Sequence, residues 1–121
     1  TESKDKNLDA SKAYDTANGK AYSGGTSTIV LEADGRTLKR SNRSLVGTID
    51  NCAGGATPWN TWISCEETYK QNHGYAFEVD PESKSLNGYK RLTHMGRFKR
   101  EAVTVDLNNR IFKQFHDVNF T

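Results

Sequence analysis

Little in this sequence is apolar. Hydrophobic side chains make up 34% of its 121 residues, under the usual share for a globular domain. A core drawn from them is thin. The chain therefore reads as one small domain, or as a piece of a larger one completed elsewhere. It has no apolar run long enough to cross a bilayer, so no membrane partner is expected. Neither charge dominates: 17 Lys and Arg stand against 15 Asp and Glu. That balance gives no basic field, so no nucleic-acid partner is expected. Common catalytic signatures are absent too. There is no Gly-rich phosphate loop, no His-Glu-x-x-His, no Cys-x-x-Cys and no Gly-x-Ser-x-Gly elbow. No signal peptide is legible. The chain opens on Thr1 rather than Met, as a mature, cleaved or trimmed product would.

Two cysteines, Cys52 and Cys65, do not fix the redox compartment. They suit one disulfide, closing a short loop worth roughly 3 kcal/mol in the chain-entropy model. They equally suit a free thiol and a metal ligand. Residues 1–22 are mostly small and polar, and such a stretch buries too little surface to offset its ordering entropy. It reads as a flexible arm or loop, ahead of a structured segment at 23–121.

What is present is a series of short strand patterns. Thr26 to Glu32 is rich in β-branched residues, and Asp34-Gly35 signals a hairpin turn into a polar return strand from Thr37 to Leu45. Tyr75, Phe77 and Val79 alternate with Ala76, Glu78 and Asp80, the pattern of a half-buried strand. Tyr89 to Thr93, Val103 to Asp106 and Ile111 to Phe115 read as further strands. Turn signals recur at intervals of roughly ten residues, which favours an antiparallel sheet, sandwich or propeller.

The chain is organised around Asn51-Cys-Ala-Gly-Gly-Ala-Thr-Pro-Trp-Asn-Thr-Trp-Ile-Ser-Cys-Glu-Glu67. Gly54-Gly55 and Pro58 shape its first half as a loop. From Trp59 it reads as a strand delivering Cys65, Glu66 and Glu67 at its end. A thiol near two carboxylates is a way to build a metal site. The plain alternative is a packed, Trp-rich strand with two structural cysteines. Successive strand residues point to opposite faces, so Glu66 and Glu67 do not share one site if the strand is regular. Carboxylates suit calcium, and a thiolate adds affinity for iron or zinc. Glu101 is a further candidate ligand. His73, His94 and His116 are each better read as structural or solvated. The basic cluster Arg97, Lys99 and Arg100 reads as a solvated face, with Arg97 and Arg100 the candidates for contacting an anionic ligand.

The stretch 51–67 strongly resembles the signature of the PhoX-type alkaline phosphatases, secreted bacterial enzymes. Gly24-Gly-Thr-Ser-Thr-Ile-Val-Leu31, His73-Gly-Tyr-Ala-Phe-Glu-Val-Asp-Pro81 and Met95-Gly-Arg-Phe-Lys-Arg-Glu-Ala-Val-Thr-Val-Asp106 follow the same family in order. The resemblance implies an all-β fold: antiparallel, blade-like hairpins forming part of a β-propeller. It implies phosphomonoester hydrolysis, export to the periplasm or beyond, and a cluster of iron and calcium ions. Carried across by motif, Cys52 is the iron ligand, Glu67 and Glu101 are metal-binding carboxylates, and Glu66 is the neighbour of Glu67. Arg100 stands where the family usually has His, and the match at Asp117 is insecure. Later blades, with further acidic ligands and a phosphate-holding arginine, have no counterpart here. The chain is therefore expected to supply part of a metal site, to be inactive alone, and to partner the remainder of its own propeller. A noncatalytic calcium-binding or ligand-binding β module is the alternative.

Overall fold

The computed structural model describes residues 10–108 and 111–116. Its elements are strands, with one 3-10 turn at Thr93–Met95. Strands β1 (Thr16–Ala17) and β2 (Lys20–Ala21) form a minimal hairpin. Strands β3 (Gly24–Leu31) and β4 (Leu38–Thr48) form a long antiparallel pair. Then come β5 (Asn51–Ala56), β6 (Trp62–Glu66), β7 (Ala76–Val79), β8 (Arg100–Asp106) and β9 (Ile111–His116). These five make one sheet in the order β7-β6-β5-β8-β9.

The expected all-β class and antiparallel hairpins are present. One pairing departs from that pattern: β5 lies parallel to β8, joined at Gly54 and Ala102. The described strands do not close into a propeller. The stretch from Asn51, read above as a loop, is itself a strand. A bulge between Cys52 and Gly55 absorbs its extra residues. Gly54 makes this possible, with φ at 70° and no room for a side chain: a Cβ there would lie 2.1 Å from the Ile63 carbonyl oxygen. The expected strand at Tyr89 to Thr93 reduces to a single bridge between Phe77 and Arg91.

The β3–β4 turn is held by Asp34. Its Oδ1 accepts the Arg36 and Thr37 N–H groups, each at 2.8 Å, and the Thr37 hydroxyl bonds its Oδ2. These three bonds hold the carboxyl down to about 2, the Thr37 hydroxyl contributing most.

Two small clusters make the core. Ile63, Cys65, Ala76 and Val103 pack on one face, with Leu92 and Met95 against them. Leu45, Phe77 and Val79 pack on the other, with Tyr14 and Tyr75. Ala76 and Phe77 are consecutive and both fully buried, so β7 is covered on both faces. Tyr14 belongs to the stretch read above as an arm or loop. Its N–H donates to the Val46 carbonyl at 2.9 Å, and its ring meets Phe77 edge-on at 4.7 Å. Tyr14 and Asp15 are thereby docked on β4, Asp15 through its N–H to the Gly47 carbonyl at 3.2 Å.

Candidate metal site

Alternation along β6 separates the two adjacent carboxylates. Cys52 and Cys65 are cross-strand partners, as are Asn51 and Glu66. Partners share a face, and neighbours along a strand do not. Ile63 and Cys65 therefore face one cluster, while Ser64 and Glu66 turn the other way. Asn51 Nδ2 donates to Ser64 Oγ on that second face at 2.8 Å.

Glu66 is fully buried there. Its Oε2 accepts the Ile49 N–H at 3.0 Å. Its Oε1 accepts the Gly74 and Tyr75 N–H groups at 3.1 and 3.3 Å. Oε2 also lies 2.6 Å from His73 Nδ1, and His73 Nε2 lies 2.9 Å from Asp15 Oδ2. Tyr14 and Tyr22 close over the imidazole edge-on. Glu66 is thus an internal anchor whose oxygens are spent on the fold. His73 is its structural partner, as expected of a histidine in this sequence.

Cys52, Glu67 and Glu101 gather on the opposite side. Cys52 is exposed, and Glu67 and Glu101 are half-buried. The Glu67 N–H is fixed to the Asp50 carbonyl at 2.9 Å, and Glu67 bridges Lys99 of the chain entering β8. The Ala53 N–H favours the Cys52 thiolate. A hydrogen bond to Glu67, partial desolvation and the charges of Glu67 and Glu101 oppose it, and the thiol's pKa is raised overall. Beneath it, burial pushes the Cys65 thiol up to about 11, against a favourable field from Arg100.

These donors suit a cation in kind: a thiol in the field of two carboxylates is a charge pattern that a metal relieves. The shell they make is open. Among the described residues, no three His, Cys, Asp or Glu side chains stand close enough to hold an ion together. Both cysteines are free, Cys52 exposed and Cys65 buried. The alternative of a packed Trp-rich strand does not describe this face, because Trp59 and Trp62 are 49% and 40% exposed.

The two arginines lie elsewhere. Arg100 is fully buried. Its Nε donates to Gln114 Oε1 at 2.6 Å, and its terminal nitrogens donate to the Gly74, Met95 and Gly96 carbonyls. Arg97 donates to the His73 carbonyl at 2.7 Å and to those of Tyr69 and Lys70. Both brace loops. Asp117 lies outside the described residues. What sequence reasoning missed is the Glu66–His73–Asp15 chain, since no local spacing links Asp15 to residues so distant along the chain.

No helix among the described residues is long and apolar enough to cross a membrane. No curated protein and no solved structure matches the chain. The family model described as alkaline phosphatase PhoX matches residues 11–113. That match spans the docked segment at Tyr14, the bulge at Cys52 and both candidate carboxylates, and the chain belongs to the PhoX alkaline phosphatase family.

Proposed function

We propose that this chain supplies part of the metal site of a metal-dependent phosphomonoester hydrolase, with Cys52, Glu67 and Glu101 as ligands. The observation that carries the reading is the placement of exposed Cys52 across from Cys65, with half-buried Glu67 and Glu101 near enough for their charges to act on its thiol, on a face that Glu66 does not share. The thiolate suits iron and the carboxylates suit calcium. Bound there, such ions would stabilise charge on a phosphate ester and polarise its P–O bond. Residues of this chain do the positioning. The Gly54 bulge presents Cys52, the Asp50 carbonyl fixes the backbone at Glu67, and the buried Glu66 keeps β6 from rotating. Arg100 is left out of the substrate site because it is buried with its donors engaged; exposed Arg97, held to carbonyls through Nε and Nη2, stays a weaker candidate for the substrate phosphate. The proposed setting is periplasmic or extracellular, in keeping with a typically secreted family.

The second reading is a noncatalytic calcium-binding or ligand-binding β module. Elemental analysis of the native protein separates the two. Iron together with calcium supports the hydrolase reading; calcium alone, or no metal, supports the module. The matching assay is release of p-nitrophenol from its phosphate ester, with and without a chelator. Three ligands leave much of a metal cluster's coordination to water, so the 121-residue chain alone is expected to be inactive. In a protein carrying the whole propeller, Glu101→Gln and Cys52→Ser should each keep the fold and remove most turnover. Full turnover by either variant would refute the ligand assignment.

A further inference from the structure

The bulged end of β5 sets Cys52 directly across from Cys65 on β6. Residues so paired in an antiparallel ladder have Cα atoms about 4.5–5.5 Å apart with side chains on one face. That falls within the range of about 4.4–6.8 Å that disulfides span. Both thiols are free. Cys52 is near enough to add to the cost of ionising Cys65. Cys52 is open to solvent and Cys65 is sealed among Ile63, Ala76 and Val103, so a reagent in solution meets Cys52 first.

We propose that Cys52 and Cys65 are a dithiol modification site, oxidised to a cross-strand disulfide by a small-molecule disulfide such as oxidised glutathione. Cys52 attacks one sulfur of the reagent, forming a mixed disulfide and releasing one glutathione thiol. Cys65 then attacks Cys52 Sγ, closing the protein disulfide and releasing the second glutathione thiol. The two protons lost by the cysteines end on the two glutathione molecules, and the two electrons go to the reagent's S–S bond. The product has no thiolate at Cys52. Linking and metal binding therefore exclude one another, and this second half alone rests on the ligand role proposed above.

The test incubates the metal-free chain in glutathione buffers of stepped ratio and maps the products by non-reducing mass spectrometry. The expected product is an intrachain link between Cys52 and Cys65. Cys65→Ser should instead stop at a stable mixed disulfide on Cys52. The equilibrium for linking should favour the folded chain over the chain in urea by roughly a hundredfold, the closure term for a loop of this size. A wild-type chain that stops at the mixed disulfide, or links no better folded than in urea, overturns the proposal. A second arm adds zinc, a thiolate-seeking ion without redox chemistry. Zinc should slow linking at least about tenfold if Cys52 is a ligand. Unchanged linking with zinc present leaves the disulfide pair standing and shows that Cys52 does not hold zinc in this chain.

Discussion

Glu66→Gln tests the division of labour along β6. The amide keeps the size of the side chain and one acceptor oxygen. With that oxygen toward the Gly74 and Tyr75 N–H groups, the new NH2 faces the Ile49 N–H, donor against donor. Turned the other way, it faces two backbone donors instead of one. His73 can adapt by accepting at Nδ1, but a buried backbone N–H is orphaned in either pose. One unsatisfied N–H, plus weaker bonds at the remaining donors once the charge is gone, costs about 2–4 kcal/mol. Urea unfolding followed by Trp59 and Trp62 fluorescence reads this directly. With a slope of about 1–3 kcal/mol/M, the midpoint should fall by about 1–2 M. A midpoint within about 0.3 M of wild type would show that the carboxylate is not needed as an acceptor, and the anchor role would be lost.

Other outcomes follow from the same contacts. Arg100→Met strips the buried guanidinium from the Met95 and Gly96 carbonyls and from Gln114, and should lower the melting temperature by about 10 °C; an unchanged melt would mean those carbonyls find other partners. Gly54→Ala forces a Cβ within 2.1 Å of the Ile63 carbonyl and should open the β5–β6 ladder. Iodoacetamide, which should label only Cys52 in the native protein, should then label Cys65 as well, and continued protection of Cys65 would count against the bulge as described. Asp34, held down to about 2 chiefly by the Thr37 hydroxyl, is depressed below its unfolded value. Its support for the β3–β4 turn is therefore complete above about pH 4 and lost as pH falls through about 2. An NMR titration of its carboxyl with a midpoint near 4 would rule that out.

Strands were legible wherever alternation is local. Tyr75 to Asp80 announces β7 because each residue's face follows from its neighbour's. Asn51 to Ala56 does not announce β5, since its pairing depends on a glycine bulge and on a lateral contact with Ala102. Tyr14 was missed because a single aromatic finds its place through Phe77 and Tyr89, far along the chain. The candidate ligands were proposed from the resemblance of the 51–67 and 95–106 stretches, and the separation of Glu66 from Glu67 was legible through the pleat. Arg100 was not legible as a buried brace, for a physical reason. A sequence displays cationic heads, but whether carbonyls already occupy them is settled only by tertiary packing.

The adjacency of two identical carboxylates raises a problem that the fold must solve. A one-residue slip of β6 against β5 would carry Glu67 into the anchor position and Glu66 out to Cys52, leaving the local chemistry almost unchanged. Glutamate alone therefore cannot select the register. The residues upstream can. The same slip would turn Ile63 and Cys65 out of their cluster with Ala76 and Val103, and would move Ser64 away from Asn51. Two fully buried apolar side chains lost from the core weigh about 1.5–3 kcal/mol for Ile63 and less for Cys65, more than any preference between two equal carboxylates. Register is fixed by the apolar face and used by the polar one. Glu66 then locks that choice by bonding to Ile49, Gly74 and Tyr75, three backbone groups that only the native register brings together.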